Sequence, residues 1–513
     1  MTLDKPVTNV ESSHQHGPAG DSIAKETYHP RLSNPDLDPL EDQHWSWYNI
    51  FAFWMSDVHS VGGYVTAGAL FMLGLTSWQV FVALITGIVL VQIFCNLVAK
   101  PSQAAAVPYP VVSRASFGVL GANIPAIIRG SIAIAWYGVQ TFLAAGSLTI
   151  VLLKLWPDLI PYAAADHTFL GLSYVGYLSF AILWVAQALV FWRGMESIRR
   201  FIDFCGPAVY VAMFALCIYM LVRADWDISF RLSDQHLTTG QQVGAMAGAI
   251  ALVVSYFSGP MLNFGDFARY GKSFKSVKRG NFWGLPINFV VFSLLVVLTA
   301  SATVPVFGEL ITDPVHTIER IDTYTAVLLG GLTFVIATVG INIVANFISP
   351  AFDFSNVAPQ KISWRAGGMI AAVGSVLLTP WNWYNNADAI FWTLGILGAL
   401  IGPLFGILIA DYYLVRNQRI VVDDLFTMDE DGEYWYSSGY NPAAIYAVVV
   451  SGVASILSVL IPKLYGVITW LPDYSWFLGC ALGFVTYLVF AKQHNVAGSG
   501  ERPLSLTPAA DTE

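Results

Sequence analysis

The sequence predicts an all-α polytopic membrane protein, and three observations carry that prediction. Hydrophobic residues make up 56% of the 513-residue chain and charged residues only 12%, about half the ~25% of a soluble protein. So few polar groups cannot cover a globular surface of this size. Mean hydropathy is +0.59, and the apolar residues gather into runs of about 20, the length that crosses a bilayer as a helix. The same composition excludes disordered, collagenous, coiled-coil and disulfide-scaffold classes. The net charge of −9 collects in the two tails and in residues 423–433, so it points to no nucleic-acid partner. Four cysteines (Cys95, Cys205, Cys217, Cys480) lie in or beside apolar runs, with no CxxC or Cys/His spacing. They are expected to be packing residues, not metal ligands or disulfides.

Twelve runs qualify as spans. The first, 48–73, holds Ser60-Val61-Gly62-Gly63 near its middle, where glycine loosens helical hydrogen bonding. The second covers 77–98. The third, 124–153, carries Trp136-Tyr137-Gly138-Val139-Gln140 at mid-span, and the fourth and fifth cover 171–192 and 204–222. The sixth, 242–265, contains Ser258-Gly259-Pro260, and a proline removes one helical donor. The seventh is 283–305. The eighth, 324–349, bears Asn342 and Asn346, and the ninth is 367–385. The tenth, 389–414, presents Gly398, Gly402 and Gly406 on one face, a pattern for close helix packing. The last two are 442–462 and 470–491. The tails, 1–44 and 492–513, are polar and expected to be disordered. Residues 1–44 have no apolar core flanked by a cleavage site, so no signal peptide is expected.

With the N-terminus and even-numbered loops inside, 20 of the 25 Lys and Arg residues fall on the cytoplasmic side. That bias satisfies the positive-inside rule and predicts two cytoplasmic termini. Interruptions in segments one and six are what a five-plus-five inverted repeat predicts, with the binding site between the repeats at mid-membrane.

Polar residues at membrane depth mark functional positions. Asp57 and His59 precede the first break and fall on opposite sides of a helix, so one should face the cavity and the other a neighbouring helix. Trp136 and Gln140, four apart, share a face. An indole to stack on and an amide that donates and accepts suit a flat heterocycle with C=O and N–H groups. Asn342 and Asn346 repeat that spacing, with helix–helix hydrogen bonding as the competing role. Phe257 is placed to close an aromatic sandwich with Trp136.

Taken together, these segments resemble the nucleobase:cation symporter-1 family, whose members carry hydantoins, allantoin, uracil, cytosine and purines. The resemblance covers residues 34–491. Its landmarks are Asn34-Pro-Asp-Leu-Asp-Pro-Leu40, Trp54-Met-Ser-Asp-Val-His59, Arg114-Ala-Ser-Phe-Gly118 and Gly121-Ala-Asn-Ile-Pro125. Trp136–Gln140, Asp266-Phe-Ala-Arg269, Asn342-Ile-Val-Ala-Asn346 with Ser349-Pro350, and Asp411-Tyr-Tyr-Leu-Val-Arg416 complete the set. The resemblance implies a leucine-transporter fold: a ten-helix core over 45–416, then a loop and two appended helices over 417–491. It also implies alternating access around a substrate held by helices 1, 3, 6 and 8.

Carried over by position, Trp136, Gln140 and Asn346 match the family's stacking tryptophan and hydrogen-bonding amides. Phe257 stands where the hydantoin carrier has a second tryptophan, and Ser60 where it has a glutamine. Both departures shrink the side chains around a ligand. His59 resembles the allantoin branch. The hydantoin carrier's two hydroxyl residues for sodium on helix 8 correspond to Gly340 and Ile341. Carbonyls at Ser56, His59 and Ala337 remain, but a hard cation wants several oxygen ligands. Proton coupling through His59 or Asp57 is therefore expected.

The function expected is import of uracil, allantoin or hydantoin across a bacterial inner membrane, with the bilayer, the heterocycle and a coupling cation as partners and no cofactor. The alternatives are a sodium-coupled or facilitative carrier of cytosine, purines or substituted hydantoins, and a non-transporting sensor. The chain carries no HExxH or Cys/His constellation for an embedded enzyme and no phosphate-binding loop for a pump.

Overall fold

The computed structural model describes residues 28–493 except 60, 229–236, 322 and 385. Within them, ten helices are long and apolar enough to cross a membrane. The remaining two expected spans are a helix broken into Trp47–Val58 and Val61–Ala69, and the 14-residue Trp364–Leu377. We number the spans α1 (those two halves), α2 (Ser77–Ala105), α3 (Asn123–Leu155), α4 (Tyr174–Trp192), α5 (Met195–Arg223) and α6 (Thr239–Leu262). They continue as α7 (Phe274–Phe307), α8 (Tyr324–Val357), α9 (Trp364–Leu377), α10 (Ala387–Ala410), α11 (Pro442–Tyr465) and α12 (Ser475–Gln493).

Local chemistry sets many of the ends. Ser46, Thr76 and Thr238 cap α1, α2 and α6, each in a reciprocal capping box, which satisfies donors that a helix start leaves free. The helices sort into two packed groups, α1, α2, α6 and α7 in one and α3, α4, α8 and α9 in the other. Helix α5 touches both α7 and α8.

Helices α10, α11 and α12 pack together. A Cβ at Gly402 would lie 2.3 Å from the Trp476 carbonyl oxygen, and one at Gly406 2.1 Å from that of Cys480. The glycine face expected on the tenth span therefore seats the backbone of α12.

Three expectations are corrected. The sixth span is not interrupted at Ser258-Gly259-Pro260. Helix α6 runs through to Leu262 and turns at Asn263, its C-cap. The fixed φ of proline suits a helix. Around it, Ser258 Oγ donates to the Ser255 carbonyl (2.6 Å) and Arg129 Nε to that of Gly259 (3.3 Å). The first span is interrupted as expected, between Val58 and Val61, but Gly62 and Gly63 belong to the second half-helix. Gly62 instead allows close approach, since a Cβ there would meet Gln140 Nε2 at 2.8 Å.

The third correction concerns residues 28–44, which are folded. The Asn34 side chain accepts from the Asp36 and Leu37 amides and donates to Ser355 Oγ (2.9 Å) and the Pro359 carbonyl. Gln43 donates to the carbonyls of Gln103 and Arg269 (both 2.7 Å), and Tyr28 stacks on Phe426 at 4.3 Å. A polar composition misleads here because the segment's hydrogen-bond partners lie far along the chain, and its few apolar residues, Leu32 and Leu37 among them, are buried in the common core. Residues 1–27 and 494–513 lie outside the described residues.

Asp38 is buried and accepts from Ser33 Oγ (2.8 Å). Burial pushes its carboxyl up to about 6, against the opposing effects of the Ser33 hydroxyl, Arg114 and Arg269. A carboxyl raised on folding contributes stability at low pH that is lost as pH rises through 6. Hydrogen-exchange protection of 33–38, corrected for intrinsic rates, is expected to be greater at pH 5 than at pH 8, and Asp38→Asn should abolish the difference. Gly402→Ala is expected to cost about 1–3 kcal/mol by overpacking, read as a lower melting temperature in detergent. Gly452→Ala, with no atom within 4 Å of the new Cβ, should be neutral.

Candidate functional site

The seam between the two helix groups carries most of the polar residues singled out from the sequence. On α3, Trp136 and Gln140 are both buried. Gln140 Nε2 approaches the Tyr256 hydroxyl at 3.4 Å, while its Oε1 is buried without a partner. Asn346 sits in a π-helical turn, Val344–Ile348, within α8. Such turns recur at functional positions because the extra residue re-aims side chains.

Asn342 is placed differently from Asn346. Its amide nitrogen donates to the Tyr137 carbonyl (3.1 Å), Thr141 Oγ1 (2.9 Å) and Gln187 Oε1 (2.7 Å). Its oxygen accepts from Asn346 Nδ2 (3.0 Å). Asn342 thus ties α8 to α3 and α4 and orients Asn346, which fits the role of helix–helix glue weighed for it.

The aromatic sandwich expected between Trp136 and Phe257 does not form. The rings against Trp136 are Tyr256 (5.4 Å, edge-on) and Tyr384 (5.9 Å, edge-on). Phe257 packs on Phe289 at 5.6 Å and lines a cavity of about 20 Å³ with Val58, Gly63, Thr66 and Tyr256. One residue turns a helix by ~100°, so Tyr256 takes the place given to its neighbour.

Asp57 and His59 do diverge. His59 Nδ1 faces the Tyr64 hydroxyl (3.0 Å) and Nε2 faces Asn288 Oδ1 (3.3 Å). The Asn288 amide nitrogen donates to the Trp54 carbonyl, so its oxygen is an acceptor and His59 carries its proton on Nε2. Tyr210 and Phe292 flank the ring. His59 therefore lies among α1, α5 and α7, with both ring nitrogens engaged. Asp57 is buried with Oδ1 unpartnered, and the charge of Arg129 acts on it.

Ser56 meets α8 where a Cβ on Gly340 would lie 3.2 Å from its hydroxyl, which is otherwise unpartnered. Ala337, three residues earlier on α8, is also buried. Ser60 lies outside the described residues. No cluster of three or more His, Cys, Asp or Glu suited to a metal ion occurs among the described residues.

Sequence reasoning missed Arg129. It is fully buried in α3 and donates Nε to the Gly259 carbonyl of α6 and Nη2 to the Ala345 carbonyl of α8, both at 3.3 Å. Asn263 Nδ2 bridges Asp266 Oδ2 (3.1 Å) and Asp353 Oδ2 (3.3 Å), and both carboxylates interact with Arg129. The signal was available: an arginine inside an apolar run is a functional candidate, but it was counted among the loop charges. Tyr256 carried no such signal.

Losing the Asn342 amide strands Gln187 Oε1 and Asn346 Nδ2, at about 1–3 kcal/mol for each unsatisfied group. Asn342→Ala is expected to lower the melting temperature well below that of Asn346→Ala. The opposite order would reverse the structural and ligand-facing assignments.

Comparison with known proteins shows the family and the fold. The family described as permease for cytosine/purines, uracil, thiamine, allantoin matches residues 39–479. An allantoin permease of Bacillus subtilis is 33% identical over 468 residues, covering 90% of this chain and 94% of that protein. A purine-uracil permease of Arabidopsis thaliana is 29% identical over 82% of this chain and 70% of that one. Among solved structures, a nucleobase-cation-symport-1 family transporter in a closed conformation with bromovinylhydantoin bound gives a TM-score of 0.73. It is 22% identical, with 90% of this chain and 96% of that one covered. That likeness bears out the leucine-transporter fold expected from the sequence. The chain belongs to the family of permeases for cytosine and purines, uracil, thiamine and allantoin, and is a multi-pass membrane permease, not an enzyme.

Proposed function

We propose that this permease imports a small nucleobase-like heterocycle, uracil, allantoin or hydantoin, by alternating access, with both termini cytoplasmic in a cell's inner membrane. The observation that carries this reading is the trio Trp136, Gln140 and Asn346 at the seam between the two helix groups. An aromatic face and two amides, one with a buried unpartnered oxygen, suit a flat ring edged with C=O and N–H. The relatives named as allantoin and uracil carriers support the same class. Opening the seam exposes the trio to one side or the other, and no covalent step is involved.

For coupling, the proton is the favoured ion. Asp57, with a buried unpartnered carboxyl oxygen, is the better carrier of it than His59, whose two ring nitrogens are already engaged. Gly340 and Ile341 offer no side-chain oxygen where α1 crosses α8. A second reading, sodium coupling, is favoured by the unpartnered Ser56 hydroxyl at that crossing, beside carbonyls of Ser56, His59 and Ala337.

Uptake of radiolabelled uracil and allantoin into cells, at pH 6 and pH 8 with and without sodium, separates these readings. Faster uptake at pH 6, indifferent to sodium and lost in Asp57→Asn, is the expected result. Strict sodium dependence lost in Ser56→Ala would establish the second reading. Trp136→Ala should reduce uptake at least tenfold while leaving the protein in the membrane.

A further inference from the structure

The first turns of α7, Phe274–Phe282, lie at the end of the bundle that carries residues 28–45. The Trp45 amide donates to the Tyr270 carbonyl (2.8 Å) and the Lys272 amide to that of Trp45 (3.0 Å). One face of this stretch is seated on α1 and α2. Asn281 accepts from Trp54 Nε1 (2.7 Å) and donates to Asn96 (2.8 Å). A Cβ at Gly280 would lie 2.4 Å from Ile50 and 2.7 Å from the Trp47 carbonyl oxygen. Close backbone contact thus fixes which face points outward.

That outer face is ordered by polarity. Lys275, Lys278, Arg279 and Phe282 follow at spacings of three and four, with Trp283 and Ile287 beyond them. All six are exposed, Phe282 by 45% and Trp283 by 42%. Tryptophan marks the headgroup level of a bilayer. The cations stand about one helical turn, ~5.4 Å, further from the hydrocarbon.

These cations have no counter-ion in the protein. No Asp or Glu occurs between Asp266 and Glu309. The helices packed against this stretch, α1 and α2, hold one acid between them, the buried Asp57. Among the described residues, Lys275, Lys278 and Arg279 form no ion pair, whereas Arg416 at the same end pairs with Asp411 and Glu433. Asp42, before α1, faces His44 (3.7 Å). The cations rest on rings instead: Arg279 over Trp47 at 4.6 Å, and Lys278 (5.3 Å) and Lys100 of α2 (5.9 Å) over Phe274. Stacking of this kind leaves N–H groups of Lys278 and Arg279 for an acceptor outside the protein.

Unpaired cations directly above an exposed aromatic and aliphatic face complement a phosphate joined to acyl chains. A free phosphate would leave Phe282, Trp283 and Ile287 unmatched, and an acidic peptide would not follow the face into the bilayer. We propose that the first turns of α7 dock an anionic phospholipid, with Lys275, Lys278 and Arg279 on its phosphate and Phe282, Trp283 and Ile287 along its chains. Arg279 stacks on the first residue of α1, so the docked headgroup braces the starts of α1 and α7 together. The site is independent of the substrate and coupling readings above.

The test is native mass spectrometry of the full-length protein in detergent, with phosphatidylglycerol or phosphatidylcholine added at equal concentration. Wild type is expected to retain phosphatidylglycerol at least tenfold better. Each cation near an anionic surface strengthens association about fivefold. Lys275→Gln combined with Lys278→Gln should therefore cut the preference at least tenfold, with the melting temperature unchanged. A control with the same charge change at the same end, Lys361→Gln with Arg365→Gln, should keep it. Equal retention of the two lipids by wild type, full preference in the Lys275 and Lys278 variant, or equal loss in the control would each overturn the proposal. So would carbodiimide cross-links from Lys275 or Lys278 to carboxylates within 1–27 or 494–513, which would make a segment of this chain the occupant. None of these outcomes alters the transport reading.

Discussion

The guanidinium of Arg129 is the fixed point of the membrane interior. Hydrocarbon offers no hydrogen bonds, so irregular backbone at that depth must be satisfied by protein. Arg129 supplies donors to Gly259, beside the proline of α6, and to Ala345, in the π-helical turn of α8. A single side chain of α3 thus holds the two irregular stretches between which a substrate would sit. The residues that face the site, Tyr256 and Asn346, lie within one turn of the carbonyls it grips. The carboxyl groups of Asp57, Asp266 and Asp353 lie around it and act on its charge. Glycine at 259 is part of the same arrangement, since a Cβ there would stand 3.3 Å from Nη2.

The two ends of the seam are closed by different physics. Toward residues 28–45, closure is polar. Asp266 accepts from the Tyr109 amide, Arg114 donates to Asn356 and the Leu425 carbonyl, and Arg416 pairs with Asp411 and Glu433. These are directional, charge-assisted bonds that fix one geometry. At the opposite end, closure comes from ring contacts among Trp136, Tyr256 and Tyr384 and from a turn held by two hydrogen bonds to one carbonyl. Aromatic contacts tolerate sliding more readily than a hydrogen-bonded ion pair does.

Much of this was legible in the sequence because lipid imposes simple rules. Apolar run length located the spans, and glycine spacing located the face of α10 that meets α12. Spacing of four located the two amide-bearing faces, and a spacing of two separated Asp57 from His59. What failed was any inference that depended on a single residue's direction or on the environment of a polar stretch. Pro260 was read as a break because its missing donor is visible in sequence, whereas Arg129 and Ser258, which make it tolerable, come from elsewhere in space or depend on local rotamers. Residues 28–44 were read as disordered because their partners are helix ends remote in the chain.

By itself, then, the sequence determined that the chain is a bundle of membrane-spanning helices, where most of them run, and which helices bring aromatic and amide groups to mid-membrane. Those properties follow from composition and periodicity, which act locally. Only the tertiary structure decided that Tyr256 and not Phe257 meets Trp136, that Asn342 orients Asn346, and that Tyr384 enters the site from a turn between α9 and α10. Each of these depends on helix rotation to within about 100° or on contacts across more than a hundred residues, and no local pattern encodes either.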